Sequence, residues 1–177
     1  MVVPHILRGA TCREDDMTWA TDRLDALKSG RADPPPIVQT LRLGLIDDWR
    51  EGWVRKSWTP AEELATSDGS MFGGYLAALA DQMLAFAAMT VIPDDRLFRT
   101  VNLHMNFVKV GRTHPLVIEA TVVAQTRQII TVRAEFRRGD NGLIAEATAQ
   151  QILMSFDHWP AEQAAIEAMV QPGGGSD

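Results

Sequence analysis

An apolar segment at residues 73–91 restricts the fold of this chain more than any other feature. It carries Asp81 and Gln82 near its middle and is followed by Pro93. A helix that is apolar on nearly every side has to be surrounded by protein. A bilayer span needs about 20 apolar residues and rarely tolerates an acid at its centre. We therefore expect a helix enclosed by the protein's own sheet, and no membrane span.

The strands that would enclose this helix follow it in the sequence. Apolar and polar residues alternate in four stretches, which predict strands at residues 98–109, 115–127, 129–138 and 143–154. The gap between the second and third stretches is so short that these strands should form an antiparallel hairpin. The pair Gln150-Gln151 interrupts the alternation of the last stretch and suggests a β-bulge there.

The residues before the apolar segment predict an N-terminal helix and two more strands. Apolar residues at spacings of three and four indicate a helix from residue 15 or 16 to residue 29. Pro34-Pro35-Pro36 should end any helix and impose an extended chain. Two strands are expected next, at residues 37–46 and 49–58.

The carboxyl-terminal residues predict a short helix at residues 160–170 and a disordered tail from residue 172. The complete order is one helix, two strands, the enclosed helix and four strands. This order is typical of an α+β domain in which an antiparallel sheet wraps around a central helix.

Charge and cysteine content exclude several classes of function. The 177-residue chain has a net charge of -6 at pH 7, so it offers no overall attraction for nucleic acid or for an anionic membrane. A single cysteine, Cys12, excludes an internal disulfide and a multi-cysteine zinc site, and the histidines have no metal-ligand spacing. The first eight residues lack a secretory-signal pattern, and we expect a cytoplasmic protein.

Asp81 is the strongest candidate for chemistry because an unpaired carboxylate is costly to bury in an apolar helix. Catalysis or ligand binding is one common reason to retain such an acid. The alternative is a structural acid, hydrogen-bonded to the sheet or lying at a subunit interface. The residues alone leave both interpretations open.

The second candidate is the pair Gly73-Gly74 at the start of the predicted helix. Free N–H groups in a first helical turn can bind a carbonyl oxygen or an anion, whereas glycines can also serve only close packing. Asp81 follows Gly73 by eight residues, so about 12 Å of helix separates them. If both act on one carbonyl group, two copies of the chain must form the site.

These motifs, taken together over roughly residues 38–154, resemble the hotdog-fold acyl-CoA thioesterases of the phenylacetyl-CoA type. In that family a His-Gly-Gly begins the central helix, and an Asp or Glu follows nine residues after the His. Here Phe72-Gly73-Gly74 begins the segment, and Asp81 is the ninth residue after Phe72.

The resemblance implies a hotdog fold and a dimer or tetramer that hydrolyses CoA thioesters without a metal or a redox cofactor, CoA being part of the substrate. Asp81 would be the base or nucleophile, and Gly73 and Gly74 would form the oxyanion site. Basic residues at strand ends could bind the CoA phosphates. The residues expected to bind the substrate are Phe72, Gln82, Asn106, Lys109, Arg112 and Arg127.

The sequence also departs from the family at three positions. Phe72 stands at the place of the usual His, Thr66 at that of a common Asn, and Ala85 where some relatives carry a hydroxyl. An alternative function is therefore a non-catalytic hotdog protein that binds an acyl-CoA or a similar apolar acyl ligand. The expected domain division is an N-terminal helical arm at residues 1–36, a hotdog thioesterase-like domain at 37–156, and a short helix with a disordered tail at 157–177.

Overall fold

The computed structural model describes residues 17–158 and 160–170. The predicted tail from residue 172 and the first residues of the predicted N-terminal helix lie outside this range. The elements, in chain order, are helices α1 Trp19–Lys28 and α2 Pro36–Thr40, strands β1 Asp48–Arg50 and β2 Trp53–Trp58, a 3₁₀ turn Glu62–Leu64, helix α3 Gly73–Met89, strands β3 Arg96–Phe107, β4 Leu116–Gln125, β5 Ile129–Arg138 and β6 Leu143–Ser155, a 3₁₀ turn Phe156–His158, and helix α4 Pro160–Val170.

The six strands form one antiparallel sheet in the order β1-β2-β4-β5-β6-β3. Helix α3 contacts five of these strands, so the sheet wraps around it as predicted. This arrangement confirms the hotdog fold. Within the described residues, no helix is long and apolar enough to cross a bilayer.

The core lies between α3 and the inner face of the sheet. Leu79, Met83 and Leu84 of the helix are completely buried, and each leucine side chain contributes about 2 kcal/mol through burial. The facing strands present small residues, including Ala134 and Ala147, which are also buried. Small side chains on the sheet leave room for the helix to approach closely.

The predicted strand at residues 37–46 is wrong. Its first half is α2, which begins at Pro36, because proline at the first helical position loses no helical hydrogen bond. Beyond α2, Arg42 and Gly44 adopt φ angles of 51° and 70°, which no strand accommodates. The predicted strand at 49–58 is instead a hairpin of β1 and β2 that turns at Gly52, where φ is 70°.

Helix α1 confirms the predicted N-terminal helix from Trp19 onward, whereas the described residues 17 and 18 are not helical. It begins after Thr18, whose side chain caps the first turn, and ends at Lys28. Ala20, Leu24 and Leu27 form its buried face. The division of the chain at residues 36 and 156 stays a prediction.

A β-bulge in β3 is the irregularity of the sheet that matters most for function. The pairing of β3 with β6 shifts between Thr100 and Asn102, opposite Gln151 and Gln150. The bulge therefore occurs where the two glutamines predicted one, but the extra residue is Val101 on the neighbouring strand. In β6 itself the inward positions alternate regularly from Ala145 to Leu153, and Gln151 is one of them.

Candidate active site on the central helix

The start of α3 leaves backbone donors free. Phe72 is the N-cap residue and makes no side-chain capping bond, since a phenyl ring has no acceptor to offer. Tyr75 N–H and Leu76 N–H both donate to the Phe72 carbonyl oxygen. Within the described part of the chain, the N–H groups of Gly73 and Gly74 have no hydrogen-bond acceptor. They are the donors that a polarised carbonyl oxygen would need.

Two phenyl rings pack against these glycines. A Cβ atom at Gly73 would lie 3.0 Å from Cζ of Phe107, and one at Gly74 would lie 2.6 Å from Cε1 of Phe72. Both rings are nevertheless exposed on their other sides. The glycines therefore serve close packing in addition to leaving their N–H groups available, so the two interpretations of this pair are compatible.

The turn before α3 is held by polar contacts. Asp68 accepts hydrogen bonds from the hydroxyl groups of Thr66 and Ser70, and these bonds hold the pKa of the Asp68 carboxyl well below its usual range. Gly69 takes a φ of 75°, and Met71 N–H donates to Gly111 O at 2.8 Å. Thr66, at the position of the family's common Asn, therefore stabilises the turn that leads into α3.

Asp81 lies on the side of α3 that faces β3, the strand at one free edge of the sheet. In the single chain its side chain is exposed. The expectation of a carboxylate buried within the chain is therefore wrong. Asp81 Oδ1 accepts a hydrogen bond from Thr100 Oγ1 on β3 at 3.1 Å. The β3 bulge brings Thr100 onto the inner face, because an extra residue changes the side to which the neighbouring side chains point.

Thr100 connects Asp81 to a second polar residue that sequence reasoning missed. Its hydroxyl lies 2.9 Å from Gln151 Oε1, and Gln151 is completely buried on the inner face of β6. The available signal was the inward position of Gln151 between Ala149 and Leu153, where an apolar residue was expected. Nothing in the sequence indicates that Thr100 faces inward, since its orientation depends on the bulge.

Gln82 is directed away from Asp81 because successive helical residues point about 100° apart. Its Oε1 accepts from Lys56 Nζ at 2.5 Å, and its Nε2 donates to Gly44 O at 2.9 Å. Lys56 Nζ also donates to Leu43 O, so the ammonium group is enclosed by acceptors. Burial lowers the pKa of Lys56 to about 7, and the nearby Asp47 carboxylate opposes that shift. Gln82 therefore has a structural role within the chain, and its predicted role in substrate binding stays a prediction.

The predicted phosphate-binding residues fall into two groups. Lys109 and Arg112 follow β3 at the end of the sheet where α3 begins, and Arg112 Nη1 lies 3.4 Å from Asp68 O in the turn before the helix. Arg127 lies in the β4–β5 turn at the opposite end, where Gln125 contacts Val91 O beyond the end of α3. The structure therefore brings only Lys109 and Arg112 towards the helix start.

Asn106 is also separated from the candidate site. It alternates with Phe107, which points towards Gly73, so Asn106 belongs to the outer face of the sheet. There its Nδ2 donates to Glu146 Oε1 at 3.3 Å. A surface cavity of about 420 Å³ lies elsewhere, where β2 ends and β4 begins, and its lining includes Trp58, His114 and Arg138 but not Asp81.

Comparison with known proteins relates the central part of the chain to one family. Residues 68–145 match the model of the thioesterase superfamily. Over these residues, somewhat less than half of its length, the chain is similar to the thioesterase superfamily. The match begins in the turn before α3 and ends in β6, so it includes Gly73, Asp81 and Thr100. A search of curated proteins found no match.

Several solved structures share the fold of this chain. A phenylacetic acid degradation-related protein of Ralstonia eutropha JMP134 is 23% identical, with a TM-score of 0.66 over 73% of this chain and 98% of that one. A thioesterase family protein of Silicibacter pomeroyi is 21% identical, with a TM-score of 0.65 over 77% and 98%. A Streptococcus mutans UA159 protein bound to acetyl-CoA is 19% identical, with a TM-score of 0.57 over 62% and 87%. At these identities the likeness establishes the fold.

Proposed function

We propose that this thioesterase-superfamily protein hydrolyses acyl-CoA thioesters at a site shared by two copies of the chain. The observation that carries the proposal is the exposed Asp81 carboxylate, held by Thr100 at the free edge of the sheet. A carboxylate that is held by a hydrogen bond and open to solvent is a suitable general base. The superfamily match supports thioester hydrolysis, and the acetyl-CoA bound to the S. mutans relative supports an acyl-CoA ligand.

Two copies are needed because of the distance along α3. Gly73 and Asp81 belong to one uninterrupted helix and are about 12 Å apart along its axis. A base and an oxyanion donor must each come within about 3 Å of their targets on the same thioester. The acid of one chain therefore has to meet the helix start of another.

Strand β3 is the surface at which the second copy would join. It is the last strand of the sheet, and its outer edge has no partner strand among residues 17–158 and 160–170. Val101 and Phe107 expose apolar side chains along it. A two-fold axis beside this edge would set two α3 helices next to each other in opposite directions. Each Asp81 would then approach the Gly73 end of the other helix.

In the proposed reaction, Asp81 takes a proton from a water molecule whose oxygen attacks the thioester carbonyl carbon. The N–H groups of Gly73 and Gly74 donate to the carbonyl oxygen as it gains negative charge. The tetrahedral intermediate then breaks its carbon–sulfur bond, and the proton passes to the CoA sulfur. The products are the free acid and CoA, and the scheme uses no metal or redox cofactor.

The surroundings of the oxyanion site suggest the substrate class. The exposed rings of Phe72 and Phe107 flank the two glycines, so an aryl or a short to medium apolar acyl group would fit beside them. Lys109 and Arg112 lie at the same end and are the proposed contacts for CoA phosphates. A cytoplasmic location stays a prediction.

A non-catalytic acyl-CoA-binding protein is the second candidate, favoured by Phe72 at the place of the family's His. Its ring offers no polar group and packs on Gly74. CoA esters that raise the melting temperature without being turned over would support this function.

The experiment is a panel of aryl and straight-chain acyl-CoA esters, with free thiol measured over time. We expect wild-type turnover, and a loss of about 10²-fold or more in Asp81→Asn. Glu119→Gln is the matched control, because Glu119 is a half-exposed carboxylate of β4 in only a 4.0 Å ion pair with Arg55. Equal rates for wild type and Asp81→Asn on every ester would contradict the proposal.

A further inference from the structure

Gln151 is a buried polar residue without a structural explanation. Its side chain is completely enclosed on the inner face of β6, among alanines and leucines. The amide nitrogen Nε2 has no hydrogen-bond partner in the described structure. A buried donor without a partner costs about 1–3 kcal/mol.

The neighbour of this amide is Thr100, directly opposite in the β3–β6 register. The threonine hydroxyl lies 2.9 Å from one terminal atom of Gln151 and 3.1 Å from Asp81 Oδ1. A hydroxyl group has one proton to donate. If Gln151 Oε1 faces Thr100, it competes with Asp81 Oδ1 for that proton, and Gln151 Nε2 has no partner.

A rotation of the Gln151 amide by 180° resolves this conflict. The oxygen and nitrogen of a glutamine amide exchange places in such a rotation, and the hydrogen-bond network decides between them. After it, Nε2–H donates to Thr100 Oγ1, and the Thr100 hydroxyl is free to donate to Asp81. The carbonyl oxygen and one N–H then have no partner among the described residues, whereas both N–H groups lack one before the rotation, and an unpaired carbonyl oxygen is tolerated better than an unpaired N–H.

We propose that Gln151 is a positioning residue for Asp81, acting through a one-directional chain of hydrogen bonds from its amide to the Thr100 hydroxyl and from there to the carboxylate. This inference rests on the proposed function of Asp81 as the general base. The chain fixes Asp81 Oδ1, so that Oδ2 is the oxygen presented to the attacking water. It also explains why a glutamine occupies an inward position in the wall of the core.

The chain predicts what different replacements do. Gln151→Met keeps the approximate size but has no donor, and we expect kcat to fall about 3- to 10-fold with little change in KM. Gln151→Glu places a second carboxyl group on Thr100, and once that group ionises it accepts the Thr100 proton and adds a like charge near Asp81. We expect the acidic limb of its kcat/KM profile to move to higher pH by about one unit.

Gln150→Glu is the matched control, because it adds the same charge one residue away. Gln150 pairs with Asn102 on the outer face of the sheet, and its variant should keep the wild-type pH profile. Equal shifts of the acidic limb in the two glutamate variants, or no shift in either, would overturn the inference. The test remains decisive if Gln151→Glu does not fold, since Gln151→Met must then show the kcat loss.

A measurement that needs no turnover separates this inference from the proposed function. In nuclear magnetic resonance spectra, the side-chain amide protons of Gln151 should move upfield in Thr100→Val, which has no hydroxyl, and stay near their wild-type positions in Thr100→Ser. If the wild type hydrolyses no ester, the proposed function fails and this comparison alone judges the hydrogen-bond chain. Identical Gln151 amide spectra in the two variants would show that Gln151 does not donate to Thr100.

Discussion

Lys56 should make the stability of this protein depend on pH between neutral and mildly alkaline conditions. Its side chain is 1% exposed, and burial lowers its pKa from 10.5 to about 7. Between these values the unfolded chain holds the proton that the folded chain has released. The free energy of unfolding therefore rises with pH across this window, because the unfolded state binds more protons.

The magnitude follows from the pKa difference. At about 1.4 kcal/mol per pKa unit, the full window corresponds to roughly 5 kcal/mol, and the part between about pH 6 and about pH 9 to roughly 3 kcal/mol. A change of this size is a large share of the total stability of a domain, which is about 5–15 kcal/mol. Because Lys56 is buried, solvent screens this effect little.

The assay is urea unfolding of wild type and Lys56→Met across that pH range. Urea is uncharged and does not screen ionic interactions, so the pH effect is measured directly. From about pH 6 to about pH 9, the free energy of unfolding should rise by roughly 3 kcal/mol more in wild type than in Lys56→Met. Lys109→Met, which removes an exposed lysine, should follow the wild type. Parallel curves for wild type and Lys56→Met would refute the reasoning.

Three further predictions concern the helix start, the free edge and the core. Gly73→Pro should lower kcat about 10²-fold by removing one N–H donor, whereas Gly73→Ala, which adds a similar crowding atom but keeps that donor, should lose much less in the same thiol assay. Val101→Lys should shift the protein towards monomer in sedimentation velocity. Val123→Lys should not, although Val123 is a bulge residue of β4 that is similarly exposed. Leu79→Ala should lower the free energy of unfolding in urea by about 2–5 kcal/mol, since Leu79 is completely buried.

Elements with strong periodicity could be predicted from the sequence. Residues 129–138 and 160–170 are the observed β5 and α4, and α3 begins at the predicted Gly73. The strand predicted at residues 37–46 was wrong because its alternating leucines fit an irregular chain as well as a strand. Its carbonyl groups are paired with side chains distant in sequence, as when Tyr75 Oη donates to Leu41 O and Lys56 Nζ to Leu43 O. Local periodicity contains no information on such contacts.

The candidate site was predictable only where it lies on one helix. The spacing of Gly73 and Asp81 predicted their separation along α3, and the proposal of a second copy follows from that separation. The exposure of Asp81 was missed, because a sheet can leave one side of an apolar helix open for a partner. Thr100 and Gln151 were missed because their meeting depends on a bulge that shifts the register of two strands.

The central claim, that Asp81 of one copy acts with Gly73 of another, is tested most directly by mixing two inactive variants. Asp81→Asn and Gly73→Pro, unfolded together and refolded at equal amounts, should form heterodimers in which one of the two sites has both groups intact. We expect activity to return to about one quarter of the wild-type value, because about half of the dimers are mixed and each has one working site. A mixture that stays as inactive as its two components, although mixed dimers are present, would contradict the account.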